Sequence, residues 1–367
     1  MGKSLAVFLA TSGHSGVDRI MKTLLPSIAD RGIRVDLLHV TGHGPHIEEK
    51  QPHLRVIQLG SSHSFTGLFP LVGYLRREKP DAILSDKDRV NQVAIIAKHL
   101  AGVETKTAVR YGQTVSRRLE NRPGWQKTVH YFSMKYLYRR ADAIISPSEG
   151  AARDLSGFAR IPIERITVIP NPIDIGRIRV LAGEPLDHPW FHSREGAVIV
   201  GLGELTSRKG FDTLIRALAI LKRKKPARLF LMGKGRGREK LEKLSADLGL
   251  RDEVEFAGFK GNPFPFLARA DLFVQPSRYE GFGMALLEAL ALGIPVVATD
   301  CPSGPREILQ DGRFGRLVPV DDHQAMADAM EKSLDSPSDP EYLLTATNPY
   351  STDLVTDRYL NLLGLGD

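Results

Sequence analysis

The sequence predicts an α/β protein with two domains, each built around a parallel β-sheet that helices cover on both faces. Its 367 residues exceed one ordinary domain core and fit two. Strand and helix patterns alternate along the chain, and the strand at residues 296–299 is continuously apolar, as a strand buried on both faces should be. Two prolines stiffen residues 169–174, where we place the crossing between the halves. We therefore expect domains at residues 1–173 and 174–349, followed by a helix within residues 350–367.

Strands and helices are expected to follow one another in order along both halves. In the first half we expect strands at residues 5–10, 34–40, 55–59, 82–85, 106–110 and 143–146, and the clearest helices at 17–31 and 90–100. In the second half we expect strands at residues 197–202, 228–232, 253–257, 271–275 and 296–299, and a terminal helix at 352–363. Alternation of this kind gives a parallel sheet in each half.

The composition is that of a globular protein, with 42% hydrophobic and 25% charged residues. No run of roughly 18 apolar residues occurs, so we expect no membrane-spanning helix. The apolar run near the N-terminus covers only about seven residues and leads into a glycine turn, so we interpret it as a strand rather than a signal peptide. Cys301 is the only cysteine, which prevents a disulfide within the chain and fits a reducing cytoplasm.

The positive charge is concentrated in the first half. Residues 1–173 hold 25 Lys and Arg against 15 Asp and Glu, whereas the remainder holds 25 against 28. Residues 106–140 hold nine of these cations against one acid, and five aromatic residues are interleaved with them: Trp125, Tyr131, Phe132, Tyr136 and Tyr138. Either a solvated basic helix covers part of the core here, or the surface docks on anionic lipid headgroups. We expect a cytoplasmic protein, peripheral on the inner face of the membrane in the second case. No motif supports nucleic-acid binding.

Residues 276–305, PSRYEGFGMALLEALALGIPVVATDCPSGP, carry the pattern on which the functional interpretation depends. A strand ends just before them, a glycine turn at residues 281–283 opens a helix over residues 284–292, and a second strand follows. The N–H groups at such a helix N-terminus attract phosphate. Glu280 lies on the turn and Glu288 lies about one turn into the helix.

This stretch, with its Glu-x7-Glu spacing and internal Gly-x-Gly, resembles the donor-binding signature of retaining glycosyltransferases of the family-4 type. Residues 300–305 with Glu307 are similar to that family's continuation. The resemblance implies the GT-B fold, in which two Rossmann-like domains face each other across a cleft. The first domain would bind the acceptor and the second the nucleotide sugar, and the C-terminal helix would cross back onto the first domain.

The resemblance also implies roles for individual residues. Glu280 would contact hydroxyls of the donor sugar, Glu288 would contact the ribose, and backbone N–H groups at the start of the helix would face the leaving phosphate or the sugar. We take Glu280, Arg110 and Lys209 as the catalytic candidates. The donor-binding candidates are Gly16, Arg208, Lys209, Gly258, Phe259, Glu280, Gly281, Phe282, Gly283, Met284, Ala285 and Glu288.

A loop of the second half supplies the expected phosphate-binding cations. Residues 203–210, GELTSRKG, resemble the family's Gly-Arg-Leu…Lys-Gly loop, whose arginine and lysine grip the diphosphate. Lys209 matches the lysine, but Glu204 stands in place of the arginine, and Arg208 is the residue that could compensate. We expect Glu204 either to turn away from the diphosphate or to pair with Arg208, Lys209 or a basic group of the first domain.

Two further glycine turns of the second half are candidates for the nucleotide site. Residues 233–237 resemble the family's Gly-x-Gly turn near the nucleotide. Gly258 and Phe259 follow a strand and would approach the base with backbone groups, although ordinary turn geometry explains the glycine equally well.

The first half offers fewer site candidates. Residues 11–19 resemble the family's Gly-Gly-Ala-Glu-Arg loop, with Asp18 at the acidic position. Gly16 would let the backbone approach a diphosphate or an acceptor, although a plain strand-to-helix turn also explains it. The histidine that the family often has at a strand end of this domain is absent, and Arg110 or Tyr111 is our candidate for its role.

We expect neither a metal nor another cofactor. Asp86-Lys87-Asp88 matches the metal-binding Asp-x-Asp pattern in letters, but it lies in the half that would not bind the donor. Cationic side chains and a helix N-terminus would take the place of a metal at the diphosphate.

The sequence therefore predicts a retaining, metal-independent glycosyltransferase. It would move a sugar from a nucleoside-diphosphate sugar to a glycan or lipid-linked acceptor in bacterial cell-surface polysaccharide or glycolipid synthesis. UDP or GDP is the nucleotide that we expect in the donor. Two alternatives stay open: a nucleotide-sugar 2-epimerase, and a non-catalytic protein that binds sugar nucleotides, which the acid at Glu204 motivates.

Overall fold

The computed structural model describes residues 2–11, 13, 15–40, 42, 44–45, 47, 51–61, 63–120, 122–192 and 195–366. The chain divides into two units: residues 1–173 with 350–367 form the first, and residues 174–349 form the second. Ser12 and His14, in the first loop considered above, lie outside the described residues.

Within the described residues, the first unit has a seven-stranded, fully parallel sheet of order β3-β2-β1-β4-β5-β6-β7. Helices separate most of the strands, as parallel connections require. Along the chain the elements are β1 (Ser4–Leu9), α1 (Gly16–Ala29), β2 (Arg34–His39), β3 (Leu54–Gln58), α2 (Leu68–Glu78), β4 (Ala82–Asp86), α3 (Asp88–Ala101), β5 (Lys106–Arg110), α4 (Val115–Leu119), α5 (Gly124–Leu137), β6 (Ala143–Ser146), α6 (Glu149–Ala159) and β7 (Ile166–Val168).

The described residues of the second unit form a six-stranded parallel sheet of order β10-β9-β8-β11-β12-β13. Its elements are α7 (Ile175–Ala182), α8 (Pro189–His192), β8 (Ala197–Leu202), α9 (Phe211–Leu221), β9 (Ala227–Met232), α10 (Arg238–Asp247), β10 (Val254–Gly258), α11 (Phe264–Leu267), β11 (Leu272–Gln275), α12 (Met284–Ala291), β12 (Val296–Thr299), α13 (Pro305–Ile308), β13 (Arg316–Val318), α14 (His323–Asp335) and α15 (Pro340–Thr345).

The last helix, α16 (Thr352–Leu363), belongs to the first unit and packs against α1. Its apolar side chains Val355, Tyr359 and Leu363 are buried in the same core cluster as α1. At its exposed side, Arg31, which follows α1, forms ion pairs of 3.2 and 3.0 Å with Asp353 and Asp357. Among the described helices, none is both long and apolar enough to cross a bilayer.

The two faces of the first sheet are packed separately because side chains alternate along a strand. Leu5, Val7 and Leu9 of β1 join a core cluster with α1 and α16. Ala6 and Phe8, which point the other way, join a second cluster with α2 and α3. All five side chains are fully buried, so β1 is a central strand covered on both faces.

The predicted fold class is confirmed: both halves are α/β units built on parallel sheets. The expected strands at residues 106–110, 143–146, 197–202 and 296–299 have the predicted bounds, and most others differ by one residue at an end. Two strands were not predicted, β7 and β13, which are three-residue edge strands.

A buried ion pair lies at the carboxyl ends of β4 and β5. The guanidinium of Arg110, only 1% exposed, bonds to the carboxylate of Asp86 and to the side-chain oxygen of Asn171. Burial alone would lower the pKa of Arg110, but the charge of Asp86 outweighs it, and the pKa is raised. Tyr359 of α16 faces the same guanidinium. The cluster thus joins two strands, the segment before the second unit and the C-terminal helix.

We predict that Asp86→Ala destabilises the first unit, because Arg110 would keep a buried charge without its partner. Breaking a buried ion pair from one side costs about 3–5 kcal/mol. Thermal unfolding followed by circular dichroism measures the loss.

The matched control is Glu120→Ala, which breaks the exposed 3.3 Å pair with Arg117 and should cost less than about 1 kcal/mol. Equal melting temperatures for the two variants would contradict a structural role of the Asp86 pair.

Candidate active site

A buried carboxylate with two cationic partners lies at the carboxyl edge of the second sheet. Glu280, 6% exposed, follows β11. Its Oε1 accepts hydrogen bonds from Lys209 Nζ at 2.5 Å and Ser277 Oγ at 2.7 Å, and its Oε2 accepts one from Arg208 Nη1 at 3.0 Å. Both cations come from the loop after β8, which neighbours β11 in the sheet. The ion pairs therefore join two adjacent loops.

The protonation state of Glu280 follows from these contacts. Burial alone would raise its pKa, but the charges of Lys209 and Arg208, with the hydrogen bonds from Lys209 and Ser277, outweigh burial and lower the pKa to about 2. The carboxylate is therefore ionised at neutral pH, and three donors fix its orientation. Such a group can orient hydroxyls and hold cations in place.

A second arginine holds the same two loops together from outside. Arg278 forms ion pairs of 2.8 Å with Asp212 and 2.7 Å with Asp321. Its backbone N–H donates to the carbonyl oxygen of Arg208 at 2.8 Å, and its guanidinium donates to that of Ser207 at 2.5 Å. The hydrogen bonds to Asp212 are the main cause of its raised pKa. The loop that presents Arg208 and Lys209 is therefore fixed along its length.

Two glycines allow the loops after β8 and β12 to approach the loop after β11 backbone to backbone. Gly210 has φ +63°, and a Cβ there would overlap the carbonyl oxygen of Pro276. Gly304 has φ +93°, and a Cβ there would overlap the carbonyl oxygen of Phe282. A larger residue at either position would be strained and would push the loops apart.

Helix α12 begins at the edge where Glu280 lies. Gly283, with φ +111°, is its N-cap, and Met284 and Ala285 form its first turn, whose N–H groups have no acceptor within the helix. Gly281 is partly exposed and Phe282 is buried, so the turn presents backbone rather than the Phe282 ring. The N-terminus of α12 and the two cations are therefore on neighbouring loops.

Two polar side chains behind this edge are buried. Glu288 of α12 is only 3% exposed, so it is not a solvated residue on the helix surface. Gln275, at the end of β11, is 2% exposed, and its amide lies against Gly283. Both amide atoms lack a hydrogen-bond partner among the described residues.

Phe259 differs from the expectation that this turn would present only backbone groups. The residue is 47% exposed, and Lys234 Nζ lies 5.6 Å from the centroid of its ring. Gly258, with φ +70°, is paired with the next loop, because its carbonyl oxygen accepts from Gly233 N–H at 2.8 Å. The turn therefore offers an aromatic face next to a cation.

Glu204 does not pair with the neighbouring cations. Its side chain is exposed, and within the described residues no Lys or Arg lies within ion-pair distance of it. Arg208 and Lys209 instead pair with Glu280. The expected ion pair of Glu204 with Arg208 or Lys209 is therefore wrong, and an orientation away from the diphosphate stays a prediction.

The candidates of the first half lie in the other unit. Gly16 is exposed at the start of α1, and a Cβ there would meet no atom within 4 Å, so packing does not require a glycine. Asp18 forms a capping box with Ser15, whose N–H donates to Asp18 Oδ2 at 2.6 Å. Arg110 and Tyr111 are both buried. The structure gives Asp18 and Arg110 structural roles in the first unit.

The Asp-x-Asp pattern at residues 86–88 also has a structural explanation. Asp86 pairs with Arg110, and Asp88 accepts from the Tyr138 hydroxyl at 3.2 Å and contacts His130 Nδ1 at 2.6 Å. Across the described part of the chain, no three His, Cys, Asp or Glu side chains are grouped so that they could hold a metal ion.

Several contacts of the site were missed by sequence reasoning. Ser277 bonds to the Glu280 carboxylate, Ser303 donates to its backbone oxygen, and Arg278 fixes the cation-bearing loop. Only Ser277 left a signal in the sequence, since it stands three residues before Glu280 and a turn brings that spacing within hydrogen-bond reach.

We predict that Glu280→Gln destabilises the second unit at pH 7 by about 3 kcal/mol, since each unit of pKa shift corresponds to about 1.4 kcal/mol. Because the pKa in the folded state is lowered from 4.5 to about 2, the contribution is complete above about pH 4.5. It is lost as the pH falls toward 2. The difference between the melting temperatures of wild type and variant, measured from pH 7 to pH 3, should therefore shrink toward the acidic end without vanishing.

Glu242→Gln is the matched control, because Glu242 pairs with Arg238 on the exposed surface of α10. Its effect at pH 7 should be less than about 1 kcal/mol. A Glu280→Gln difference that stays constant down to pH 3 would contradict the assigned ionisation.

Comparison with known proteins identifies the family. The model of the glycosyl transferase 4-like domain matches residues 15–172, and that of glycosyl transferases group 1 matches residues 187–347. The chain is 31% identical to the lipopolysaccharide core biosynthesis glycosyltransferase LpsE of Rhizobium meliloti, over 95% of both chains.

A second relative is also a glycosyltransferase, and a solved structure shares the fold. A Campylobacter jejuni enzyme is 28% identical over 91% of this chain and 90% of its own length; its name is N-acetylgalactosamine-N,N'-diacetylbacillosaminyl-diphospho-undecaprenol 4-alpha-N-acetylgalactosaminyltransferase. The crystal structure of Anabaena HepE in complex with UDP superposes with a TM-score of 0.78 at 20% identity, over 98% of this chain and 99% of that one, which shows the shared fold. The chain therefore belongs to the group 1 glycosyltransferases of the family-4 type, with two Rossmann-like domains of the GT-B fold, and is itself a glycosyltransferase.

Proposed function

We propose that the protein is a retaining glycosyltransferase that uses a nucleoside-diphosphate sugar, with UDP or GDP as the nucleotide. The acceptor is a glycan or a lipid-linked glycan of the cell surface. One observation carries the proposal: an ionised, buried Glu280 holds Lys209 and Arg208 on the loop next to the N-terminus of α12. Cations and helix N–H groups placed together suit a diphosphate.

Names of related proteins support the substrate classes. LpsE acts in lipopolysaccharide core synthesis, and the Campylobacter enzyme has a diphospho-undecaprenol acceptor in its name. HepE was crystallised with UDP, and a Mycolicibacterium smegmatis relative is named as GDP-mannose-dependent. UDP and GDP are therefore the two nucleotides to test first.

The chemistry needs stabilisation of the leaving group. When the bond from the anomeric carbon to the phosphate oxygen breaks, its electron pair stays on the diphosphate. Lys209, Arg208 and the N–H groups of Met284 and Ala285 would stabilise that charge. The acceptor hydroxyl forms the new bond to the same carbon, on the face that the diphosphate leaves, and its proton passes to the departing diphosphate. The configuration of the sugar is thereby retained.

Glu280 is suited to orientation rather than to covalent attack. Its two oxygens already accept hydrogen bonds from Lys209, Ser277 and Arg208, and its low pKa makes it a weak nucleophile. We assign it to hydroxyls of the donor sugar, which a carboxylate of fixed orientation can accept. Glu288 is assigned to the ribose.

The remaining donor contacts come from the turns at the same sheet edge. Gly281, Phe282 and Gly283 would present backbone to the donor, and Phe259 would offer its exposed ring to the base beside Gly258. Gly16 is the candidate from the first unit. Because Lys209 and Arg208 supply positive charge at the diphosphate, we propose that transfer needs no metal.

A donor panel with product analysis tests this function. Thermal shift with UDP- and GDP-sugars should show stabilisation by one nucleotide class, since a bound ligand raises stability by mass action. With a donor and an acceptor glycolipid, NMR of the product should show the donor's anomeric configuration, and EDTA should leave the rate unchanged.

Three outcomes would each contradict a different part of the proposal. An inverted product overturns retention, and loss of activity in EDTA with recovery in Mn²⁺ overturns the metal-free mechanism. Conversion of the donor sugar without an acceptor would favour a 2-epimerase.

We predict that Lys209→Ala lowers affinity for the nucleoside diphosphate at least about tenfold, because the lost charge-assisted hydrogen bond is worth about 1.5–3 kcal/mol. Affinity for the free nucleoside should change much less. Isothermal titration with both ligands gives the ratio, which does not depend on how much of the variant is folded.

Lys222→Ala is the control and should change neither affinity. Lys222 follows the C-terminal end of α9, whereas the cation-bearing loop precedes its N-terminal end, and it pairs with Glu253. Equal losses for nucleoside and nucleoside diphosphate in Lys209→Ala would show that Lys209 does not contact phosphate.

A further inference from the structure

Helix α5 of the first unit carries an exposed apolar stripe. Trp125, Val129, Phe132 and Tyr136 are 67, 58, 47 and 56% exposed. At 100° per residue, their spacing of four, three and four places them within a sector about 60° wide. Met134, the buried residue of α5, falls opposite this sector. The helix thus turns its apolar residues toward solvent and packs on the unit through its other side.

Polar contacts hold α5 in this orientation. His130 Nδ1 lies 2.6 Å from Asp88 Oδ2, and Gln92 of α3 donates to Ser133 Oγ at 3.0 Å. On the outer side, the rings of Phe132 and Tyr136 stack in parallel, with centroids 6.0 Å apart. The stripe is therefore a preformed, fixed surface.

The segment that carries the stripe is rich in positive charge. Residues 111–140 contain seven Lys and Arg and one acid, Glu120. Arg117 forms an ion pair with Glu120, so the other cations have no acidic partner within this segment. Lys135 lies beside the stripe, with Nζ 5.5 Å from the ring of Tyr136. The apolar stripe therefore has a cation, Lys135, at one margin and lies within a basic segment.

We propose that α5 docks the protein on an anionic lipid membrane, with Trp125, Val129, Phe132 and Tyr136 at the boundary between headgroups and acyl chains. An interfacial helix combines aromatic and aliphatic residues on one face with flanking Lys and Arg, and Trp and Tyr favour this depth. The proposal goes beyond the transfer reaction and does not depend on which donor is used.

Charge decides between the membrane and a second copy of the chain. Two copies meeting through this face would bring their own cations together, which disfavours association. An anionic bilayer instead offers negative headgroups to the cations and an apolar phase to the stripe. Each cation near such a surface strengthens binding about fivefold.

The tryptophan count allows a direct test. The chain has two tryptophans, Trp125 and Trp190, so Trp190→Phe leaves Trp125 as the reporter. With vesicles of phosphatidylcholine and phosphatidylglycerol at 7:3, its emission should shift to the blue, and lipids brominated near the headgroup should quench it. Pure phosphatidylcholine vesicles should give little shift, and 1 M NaCl should reverse the effect.

Vesicle flotation with the full chain tests the stripe and the cations separately. Phe132→Ser with Tyr136→Ser, and Arg122→Glu with Lys135→Glu, should each lower the bound fraction at least about tenfold. Val180→Ser with Leu248→Ser, which removes exposed apolar groups from the second unit, should leave it unchanged. Circular dichroism checks that all variants fold. Stabilisation by the donor in a thermal-shift assay checks separately that the donor-binding site is intact.

Unaltered flotation of both α5 variants, or no binding of the wild type to anionic vesicles, would overturn the proposal. So would a concentration-dependent dimer in analytical ultracentrifugation that the Phe132 and Tyr136 changes abolish, because it would make a second copy the occupant of this face.

Discussion

The ion pairs of Glu280 with Lys209 and Arg208 set the geometry of the second unit's sheet edge. A carboxylate that is only 6% exposed needs compensating charge, and both of its cations come from the loop after the neighbouring strand. Satisfying the buried charge therefore fixes the position of both loops. It also places two cations at the start of α12 before any ligand arrives, so little reorganisation is needed on binding. A diphosphate would share these cations with Glu280, which makes Glu280 a determinant of how strongly phosphate is held.

The backbone packing around the same edge makes these pairs possible. A Cβ at Gly210 or Gly304 would overlap a carbonyl oxygen of the loop beside it, and Gly233 lies equally close to the carbonyl oxygen of Gly203. Without side chains at these points, the loops after β8, β9 and β11 approach until side chains on one reach partners on the next. Arg278, with Asp212 and Asp321, closes the arrangement on the outer side. The glycines therefore act on the chemistry indirectly, through the distances they permit.

The sequence predicted most of the fold because buried strands and amphipathic helices leave local patterns. It missed β7 and β13, since three residues at a sheet edge with mixed burial carry no such pattern. The family resemblance selected Glu280, Lys209 and Arg208 as site residues but did not predict that they touch. Lys209 and Glu280 are 71 positions apart in the sequence, and they meet only because their strands are neighbours in the sheet. For Arg110, the sequence suggested a catalytic role but not the buried contacts that the structure shows. Its place at a strand end suggested chemistry, and only the folded chain shows Asp86 and Asn171 converging on it inside the unit.

The short segment after β7, which contains Ile173, has a consequence for how the chain connects the two units. Ile173 N–H donates to the carbonyl oxygen of Tyr350 at 2.8 Å, and its own carbonyl oxygen accepts from Thr352 Oγ1 at 3.1 Å. The polypeptide thus leaves the first unit and re-enters it at neighbouring, hydrogen-bonded positions. Topologically, residues 174–349 are an insertion within a host domain whose two sides are already joined. Because the two segments pair in parallel, a linker that replaces the insertion must run back along them rather than form a tight turn. With such a linker, the first unit has the connectivity of a domain that can be expressed alone.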